Sequence, residues 1–200
     1  MVKFKYHNTH VSKMLLNKTE KAIFEKFSKD YSCQIYGRDI AKKFGLNQKT
    51  VSNTLNNLEK KDILKFKTEG KNKYYFLNKN NPHIREFITI IELFKKVSFI
   101  DKQKHLKKLF EYLDNRTNGI LVVFGSYAKE KEKEKSDLDL FVLGKIENIR
   151  DLEESFNVEL NIVKSEKKKF NLKEPFIREI MENHIILKGA EDFVNLAWSQ

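Results

Sequence analysis

The chain has 200 residues and a formal net charge of +11 at pH 7, from 39 Lys/Arg and 28 Asp/Glu. This length allows one large domain or two small ones. No apolar run approaches the roughly 20 residues of a membrane-spanning helix, and the start, MVKFKYHNTH, lacks the apolar core of a signal peptide. The single cysteine, Cys33, cannot form an internal disulfide. We therefore expect a cytoplasmic protein without a membrane partner.

The positive charge lies almost entirely in the first part of the chain. Residues 1–80 contain 18 Lys/Arg and 7 Asp/Glu, whereas residues 81–200 contain 21 of each. A local excess of this size favours a polyanionic partner for the N-terminal part. Lysine-rich sequences can also serve solubility alone, so charge by itself does not decide between nucleic acid binding and a solvated surface.

The same part of the chain carries signals for three helices. The segment Asn17–Glu20 has the spacing of a capping box ahead of an apolar stripe. A second, short helix is predicted over GRDIAKKF and ends at Gly45, since glycine accepts the left-handed conformation of a helix C-terminus. A third is predicted over NQKTVSNTLNNLEKK, capped by Asn47, with Val51, Leu55 and Leu58 on its inner face.

The stretch that follows, ILKFKTEGKNKYYFLN, predicts two strands around a glycine turn with lysines at the tip. Helices followed by a basic hairpin resemble the winged helix-turn-helix family of transcription regulators. The resemblance implies that double-stranded DNA is a partner, contacted by amide, hydroxyl and lysine side chains: Gln48, Lys49, Ser52, Asn53, Asn56, Lys60, Lys71 and Lys73. The alternatives are a helical hairpin with a solvated polar face and a winged helix that binds protein.

Residues 82–115 are predicted to form a helical connector. Pro82 suits the first turn of a helix, and apolar residues keep helical spacing from Ile84 to Leu113, with a weak point at residues 98–100. The pattern fits one long helix or two consecutive ones. Such helices pair two copies of a chain into a homodimer or cover the next domain, and the sequence does not decide between these roles.

A candidate site follows in GILVVFGS and SDLDLFVLG, two apolar strands flanking a charged spacer. Alternation along the second strand places Asp137 and Asp139 on one face. Two adjacent carboxylates repel each other unless a cation lies between them, and Mg²⁺ prefers such oxygen ligands together with substrate phosphates. Gly125 allows close approach of a phosphate to the backbone, and Ser126 adds a hydroxyl.

The pair Gly125–Ser126, ten residues, and then Asp137-Leu138-Asp139 resemble the signature of the DNA polymerase β-like nucleotidyltransferases, in particular the minimal nucleotidyltransferases of prokaryotes. The strand, Gly189 and helix in ENHIILKGAEDFVNL extend the resemblance over residues 118–197. It implies that Asp137 and Asp139 are catalytic Mg²⁺ ligands. It also implies that Gly125, Ser126 and Ser136 bind a nucleoside triphosphate, with ATP the expected donor.

The family also has a third carboxylate on a neighbouring strand, which activates the acceptor hydroxyl. The matching strand is FNVELNIVK, where Glu159 and Asn161 share one face. Glu159 is the candidate catalytic carboxylate. If Asn161 occupies the position instead, the third ligand is lost.

Three other patterns receive simpler interpretations. The run KEKEKEK predicts a solvated helix or loop after YA. The apolar residues of PFIREIMENHIIL are predicted to belong to the core. The segment KSEKKKFNLKEP is predicted to be a solvated basic connection. The histidines, including His7 and His10, lack metal-site spacing.

Together these patterns predict an α+β protein with two domains: a winged helix-turn-helix over residues 1–81, the connector over 82–115, and a small α/β nucleotidyltransferase with a mixed sheet over 116–200. The predicted function is Mg²⁺-dependent transfer of a nucleoside monophosphate to an acceptor hydroxyl. The resemblance makes a protein acceptor plausible, as in toxin–antitoxin systems. One alternative is a transcriptional regulator whose inactive nucleotidyltransferase fold senses nucleotide. Another is a DNA-binding protein with a chance pair of aspartates.

Overall fold

The computed structural model describes residues 16–132 and 136–200. Helices and short strands alternate in the N-terminal part: α1 Lys18–Lys29, β1 Ile35–Tyr36, α2 Gly37–Phe44, α3 Gln48–Lys60, β2 Leu64–Glu69 and β3 Asn72–Leu77. The rest of the chain adds α4 Ile84–Lys102, α5 Lys107–Arg116, β4 Thr117–Val123, α6 Gly125–Ala128, β5 Leu138–Ile146, α7 Arg150–Phe156, β6 Leu160–Ser165, α8 Pro175–Glu182, β7 Ile185–Lys188 and α9 Ala190–Trp198. The fold is thus a mixed α+β fold, as predicted.

The predicted ends of the first helices are confirmed. The Asn17 side chain accepts hydrogen bonds from two backbone N–H groups of α1, and the Glu20 carboxylate accepts one from the N–H of Asn17. Gly45 ends α2 with φ of 60°. Asn47 Oδ1 accepts the N–H of Thr50 at 3.1 Å at the start of α3. These contacts satisfy backbone groups that a helix end leaves unpaired.

The N-terminal part contains a three-stranded antiparallel sheet, with β3 between β1 and β2. Strands β2 and β3 pair from Leu64 with Leu77 to Glu69 with Asn72, and Gly70 turns between them at φ of 59°. The predicted hairpin is therefore present in its predicted place. Short strand β1 connects the hairpin to the start of α2.

The connector consists of two consecutive helices, α4 and α5, separated by a 3₁₀ turn at Lys104–Leu106. One detail differs from the prediction. Pro82 lies in a turn and α4 begins two residues later, because the Asn81 side chain accepts the N–H of His83 and the Asn81 backbone carbonyl accepts that of Ile84. The helix continues through residues 98–100, where the apolar pattern is weak, and Phe99 is buried there. Helix α4 packs against β7 and α9, so it covers the sheet domain.

The larger sheet has the strand order β6-β5-β4-β7, with β5 and β6 parallel and the other neighbours antiparallel. This is the predicted mixed sheet. Its inner face packs against α8, α9 and the core of the N-terminal part, through Ile120, Val122, Phe141 and Leu143. Its outer face packs against α5 and α7, through Leu121, Val123, Leu140 and Val142. The N-terminal part and the sheet therefore share one apolar core.

Other predictions need correction around this sheet. Strand β6 begins at Leu160, four residues later than predicted, because α7 and the left-handed Asn157 precede it. Phe170, in the segment predicted to be solvated, is buried and packs edge-on against Phe193. Helix α6 ends at Ala128, and residues 129–132 form a turn and loop, which is one of the two predicted possibilities for this run. Residues 133–135 of that run lie outside the described residues, as do residues 1–15 with His7 and His10.

A charged network is buried where α1, α4 and the start of β7 meet. The fully buried Glu92 accepts hydrogen bonds from Ser28 at 2.7 Å and Lys95 at 2.7 Å, and His184 Nε2 lies 3.2 Å from it. Burial alone would raise the pKa of Glu92, but Lys95 and His184 lower it to about 2. This carboxylate is therefore ionised and links the N-terminal part to the sheet domain.

Across residues 16–132 and 136–200, no helix combines the length and apolar character needed to cross a membrane.

Candidate functional site

The two aspartates of the sequence motif lie at the start of β5. Leu138 and Leu140 are fully buried on the outer face, whereas Asp137 and Asp139 are partly exposed. Strand alternation explains this difference, since successive side chains leave a strand on opposite faces. Asp139 therefore shares the inner face with Phe141. The predicted juxtaposition of the two carboxylates is present.

Asn161 of β6 lies directly beside Asp139. The parallel register pairs Asp139 with Asn161, and the Asn161 amide nitrogen is 3.3 Å from Asp137 Oδ2 and 3.4 Å from Asp139 Oδ1. An amide N–H₂ carries two donors, so one side chain contacts both carboxylates and reduces their mutual repulsion. Of the two residues considered for the third position, Asn161 is the one in contact with the aspartates.

Glu159 precedes β6 and is exposed. Its backbone carbonyl accepts the N–H of Leu138 at 2.8 Å, which extends the β5–β6 register by one residue. This extension places Glu159 beside Asp137, with its side chain leaving the strand on the side of Asn161. It thus borders the pair of aspartates.

The end of β4 brings the turn at Gly125 and Ser126, called the glycine turn below, against Asp139. The N–H of Phe124 donates to the Asp139 carbonyl at 3.0 Å, and Gly125 follows with φ of 66°. A Cβ atom on Gly125 would overlap the Asp139 carboxylate. Glycine is therefore required here twice, for its backbone conformation and for the space beside the carboxylate. Ser126 and Ser136 are both half-buried next to these residues, the first in α6 and the second directly before Asp137.

The electrostatic environment of the pair is seen at Tyr127 in α6. Burial, followed by the charges of Glu132 and Asp137, raises the pKa of its hydroxyl. The negative charge of Asp137 therefore extends to the Tyr127 hydroxyl on α6.

The donor set suits a hard divalent cation that shares its ligands with phosphate. Two carboxylates project from one face, and the Asn161 amide can present its oxygen instead of its nitrogen by rotating about its terminal bond. Within residues 16–132 and 136–200, no group of three or more His, Cys, Asp or Glu side chains has a metal-binding arrangement. A Mg²⁺ ion at this site would therefore take two carboxylates, with phosphate oxygens, water or an amide oxygen completing its shell.

The residues predicted to contact DNA lie on α3 and at the hairpin tip. Most are exposed: Gln48, Lys49, Ser52, Asn53, Lys60, Lys71 and Lys73. Asn56 differs, because it is half-buried and its Oδ1 accepts the Tyr75 hydroxyl at 2.8 Å, joining α3 to β3. The Lys73 ammonium lies 4.1 Å from the centre of the Phe66 ring. The structure therefore presents a basic and amide-rich surface from two adjacent elements.

Sequence reasoning missed two exposed apolar side chains on the face of the aspartates, Phe176 and Val163. Phe176 is 37% exposed and Val163 is 39% exposed. A signal for Phe176 was present in the sequence. The buried residues of α8, Ile177, Ile180 and Met181, have helical spacing, and Phe176 lies outside that stripe.

In a comparison with known protein families, residues 104–192 match the family model "Polymerase beta, Nucleotidyltransferase". This range is a little under half of the chain. The matched range contains the glycine turn, both aspartates and Asn161. It covers the mixed sheet from β4 to β7, so this part of the chain is a nucleotidyltransferase-like domain and supports a nucleotidyl transfer role.

A solved structure described as "Crystal structure of the toxin-antitoxin with AMP-PNP" is similar at 19% identity, over 46% of this chain and 83% of that chain, with a TM-score of 0.36. A search of the curated proteins found no match.

Proposed function

We propose that the chain binds a Mg²⁺-nucleoside triphosphate, with ATP as donor, and transfers its nucleoside monophosphate to an acceptor hydroxyl. The observation that carries the proposal is the position of Asp139. Its carboxylate shares the Asn161 amide with Asp137 and lies against Gly125. Cation ligands and a turn without a side chain are thus next to each other, as a phosphate-bound metal requires. The nucleotidyltransferase match over the same residues supports the reaction class.

In this proposal Asp137 and Asp139 hold the cation, and Gly125 allows the phosphates to approach the backbone. Ser126 and Ser136 donate hydroxyl hydrogen bonds to phosphate oxygens. A bound Mg²⁺ would neutralise phosphate charge and polarise the α-phosphorus. The chain itself contributes the positions of the ligands, which are fixed by the hydrogen bond from Phe124 to the Asp139 carbonyl.

The transfer step forms a bond between the acceptor oxygen and the α-phosphorus and breaks the bond to the β-phosphate, releasing pyrophosphate. The acceptor hydroxyl loses a proton in this step. The Asn161 amide cannot accept it, whereas the carboxylate of Glu159 can. Glu159 therefore remains the candidate general base, from its place at the border of the aspartate pair.

A second candidate function is supported by Asn161. This amide contacts both aspartates. In this second candidate, Asn161 occupies the position at which the nucleotidyltransferase resemblance implies a third carboxylate, and that carboxylate is absent. A site with two carboxylates can hold a Mg²⁺-nucleotide without activating an acceptor. The chain would then be a regulator that responds to bound nucleotide.

Both candidates include binding of double-stranded DNA by the N-terminal part. Support comes from the order α1, α2, α3 and hairpin, which is that of a winged helix-turn-helix, and from the excess of positive charge in residues 1–80. The acceptor in the first candidate is proposed to be a protein, such as a toxin partner. The exposed Ile90, Leu93 and Val97 on α4 are the surface on which a homodimer would form.

The proposal is tested by label transfer from α-³²P-ATP with Mg²⁺, with host lysate as the source of acceptors. Wild-type chain is compared with Asp139→Asn and with Asp151→Asn, whose carboxylate forms an exposed ion pair with Arg116 on α5. We expect a labelled acceptor with wild type and Asp151→Asn but not with Asp139→Asn. Absence of transfer with retained Mg²⁺-dependent ATP binding would favour the regulator. Transfer that persists in Asp139→Asn would contradict the role of this carboxylate as a cation ligand.

A further inference from the structure

The face that carries the aspartates continues into an apolar surface. Beyond Asp139 on β5 comes Phe141, and beyond Asn161 on β6 comes Val163, with Phe141 and Val163 paired in the parallel register. Phe141 is buried, but Val163 is 39% exposed. Two residues along a strand span about 7 Å. The apolar surface therefore begins about 7 Å from the candidate cation ligands, a distance comparable to the length of a ribose.

Phe176, at the start of α8, forms the other part of this surface. Its ring centre lies 5.7 Å from that of Phe124 and 5.8 Å from that of Phe141, with interplanar angles of 88° and 77°. Phe124 directly precedes Gly125, and Phe141 is the next residue after Asp139 on the same face. Two neighbours of the candidate phosphate site thus fix the Phe176 ring, which remains 37% exposed.

Exposure of these two side chains contrasts with the rest of the inner face. Its other apolar residues, among them Ile120, Val122 and Leu143, are fully buried. Large exposed apolar side chains beside a polar site are typical of ligand-binding surfaces, where a few polar groups orient the ligand and apolar groups supply contact area. A nucleoside triphosphate has a matching division, with phosphates at one end and a planar base at the other.

We propose that Phe176 and Val163 form the nucleobase subsite of the nucleotide site, with the base stacked on the Phe176 ring and its edge against Val163. The inference rests on the proposed function and adds the part of the ligand that the aspartates do not recognise. Stacking is tolerant of base identity because every base has a π-face. The subsite therefore predicts affinities for ATP, GTP and CTP that differ by only a few fold.

The test measures binding of two ligands to the full chain by calorimetry in the presence of Mg²⁺: ATP, and inorganic triphosphate, which lacks the base. Phe176→Ala and Phe176→Leu should weaken ATP binding about tenfold and leave triphosphate binding unchanged. Phe176→Tyr keeps the ring and should retain wild-type affinity for both. Tyr112→Ala removes a 47% exposed ring from α5, on the opposite side of the sheet, and should change neither affinity.

A second readout uses Phe176→Trp. The wild-type chain has one tryptophan, Trp198, which contacts Tyr31. A tryptophan at position 176 should show fluorescence quenching with ATP that triphosphate does not produce and that wild type lacks.

Unchanged ATP affinity in Phe176→Ala and Phe176→Leu would overturn the subsite. This holds even if label transfer fell in these variants, because that result would place Phe176 in contact with the acceptor instead of the base. Equal loss of ATP and triphosphate binding would overturn it too, since the ring would act only by supporting Phe124 and Gly125. Failure of the wild-type chain to bind either ligand would instead refute the proposed function, and the subsite with it. The two failures are thus distinguishable.

Discussion

Two acidic clusters of this protein differ in how their charge is compensated. Glu92 is fully buried and is surrounded by Lys95, His184 and Ser28. Asp137 and Asp139 are partly exposed. Both contact the neutral amide nitrogen of Asn161, at 3.3 Å and 3.4 Å. Removing a buried, compensated carboxylate leaves its partners' charge buried and destabilises the fold, whereas two adjacent carboxylates with a neutral neighbour can still take up a cation. The difference in compensation separates a structural cluster from a candidate site.

The largest effect is expected at the buried cluster. Glu92→Gln removes the negative charge but leaves Lys95 beside it, so the free energy of unfolding should fall by about 3 kcal/mol or more. Urea unfolding at pH 7 measures this change. Glu25→Gln is the control, since its carboxylate forms an exposed pair with Lys29 at 3.8 Å and should contribute less than about 0.5 kcal/mol. Equal stability of the two variants would show that the buried network does not hold the parts together.

The pH dependence of the same cluster follows from the lowered pKa of Glu92, which is about 2 in the folded chain against an ordinary value of 4.5. Because the folded-state pKa is the lower one, the stabilisation is complete above pH 4.5 and is lost as the pH falls towards 2. The stability difference between wild type and Glu92→Gln should therefore shrink between pH 5 and pH 2.5 in urea titrations. A difference independent of pH over this range would contradict an ionised Glu92.

At the exposed cluster, Asn161→Asp adds a negative charge, the opposite change to Glu92→Gln, and its effect should be smaller. A third carboxylate replaces a donor to both aspartates, so the chain should lose stability without Mg²⁺ and bind Mg²⁺ about tenfold more tightly. The melting temperature without MgCl₂ measures the change in stability, and its increase with added MgCl₂ measures the change in Mg²⁺ affinity. Asn171→Asp, on an exposed loop, is the matched control. If the second candidate function is correct, Asn161→Asp should also increase label transfer; no gain in Mg²⁺ affinity would argue against a cation at this position.

The smallest effect concerns the N-terminal part, where Lys/Arg outnumber Asp/Glu by 18 to 7 in residues 1–80. Replacing Lys71 and Lys73 together by alanine removes two potential phosphate contacts. The slope of log affinity against log salt for a mixed-sequence duplex should then fall by about 2. Fluorescence anisotropy measures it, and the exposed pair Lys107 and Lys108 on α5 is the control. A wild-type chain without salt-dependent duplex binding would remove DNA from its partners.

Local signals account for the parts of the structure that sequence could predict. The cap at Asn17, the turns at Gly45 and Gly70 and the alternation around Leu138 each depend on a few neighbouring residues, and each is present. The mixed sheet followed from resemblance to a nucleotidyltransferase. Boundaries were less accurate, since the starts of α4 and β6 depend on turns at Asn81 and Asn157.

Long-range contacts account for the rest. Which of Glu159 and Asn161 contacts the aspartates depends on the register of two neighbouring strands, in which the paired residues Asp139 and Asn161 are 22 positions apart in sequence. The buried network joins Ser28, Glu92 and His184, which no sequence pattern connects. Phe176 looked like core because its neighbours are core. Its exposure depends on how α8 lies against β5.

The measurement that tests the central claim most directly is calorimetric titration of ATP into the full chain, with Mg²⁺ or with EDTA. We expect binding that requires Mg²⁺, that weakens at least about a hundredfold in Asp139→Asn, and that Asp151→Asn leaves unchanged. ATP binding of equal strength in EDTA, or in Asp139→Asn, would show that the nucleotide does not use the aspartate pair.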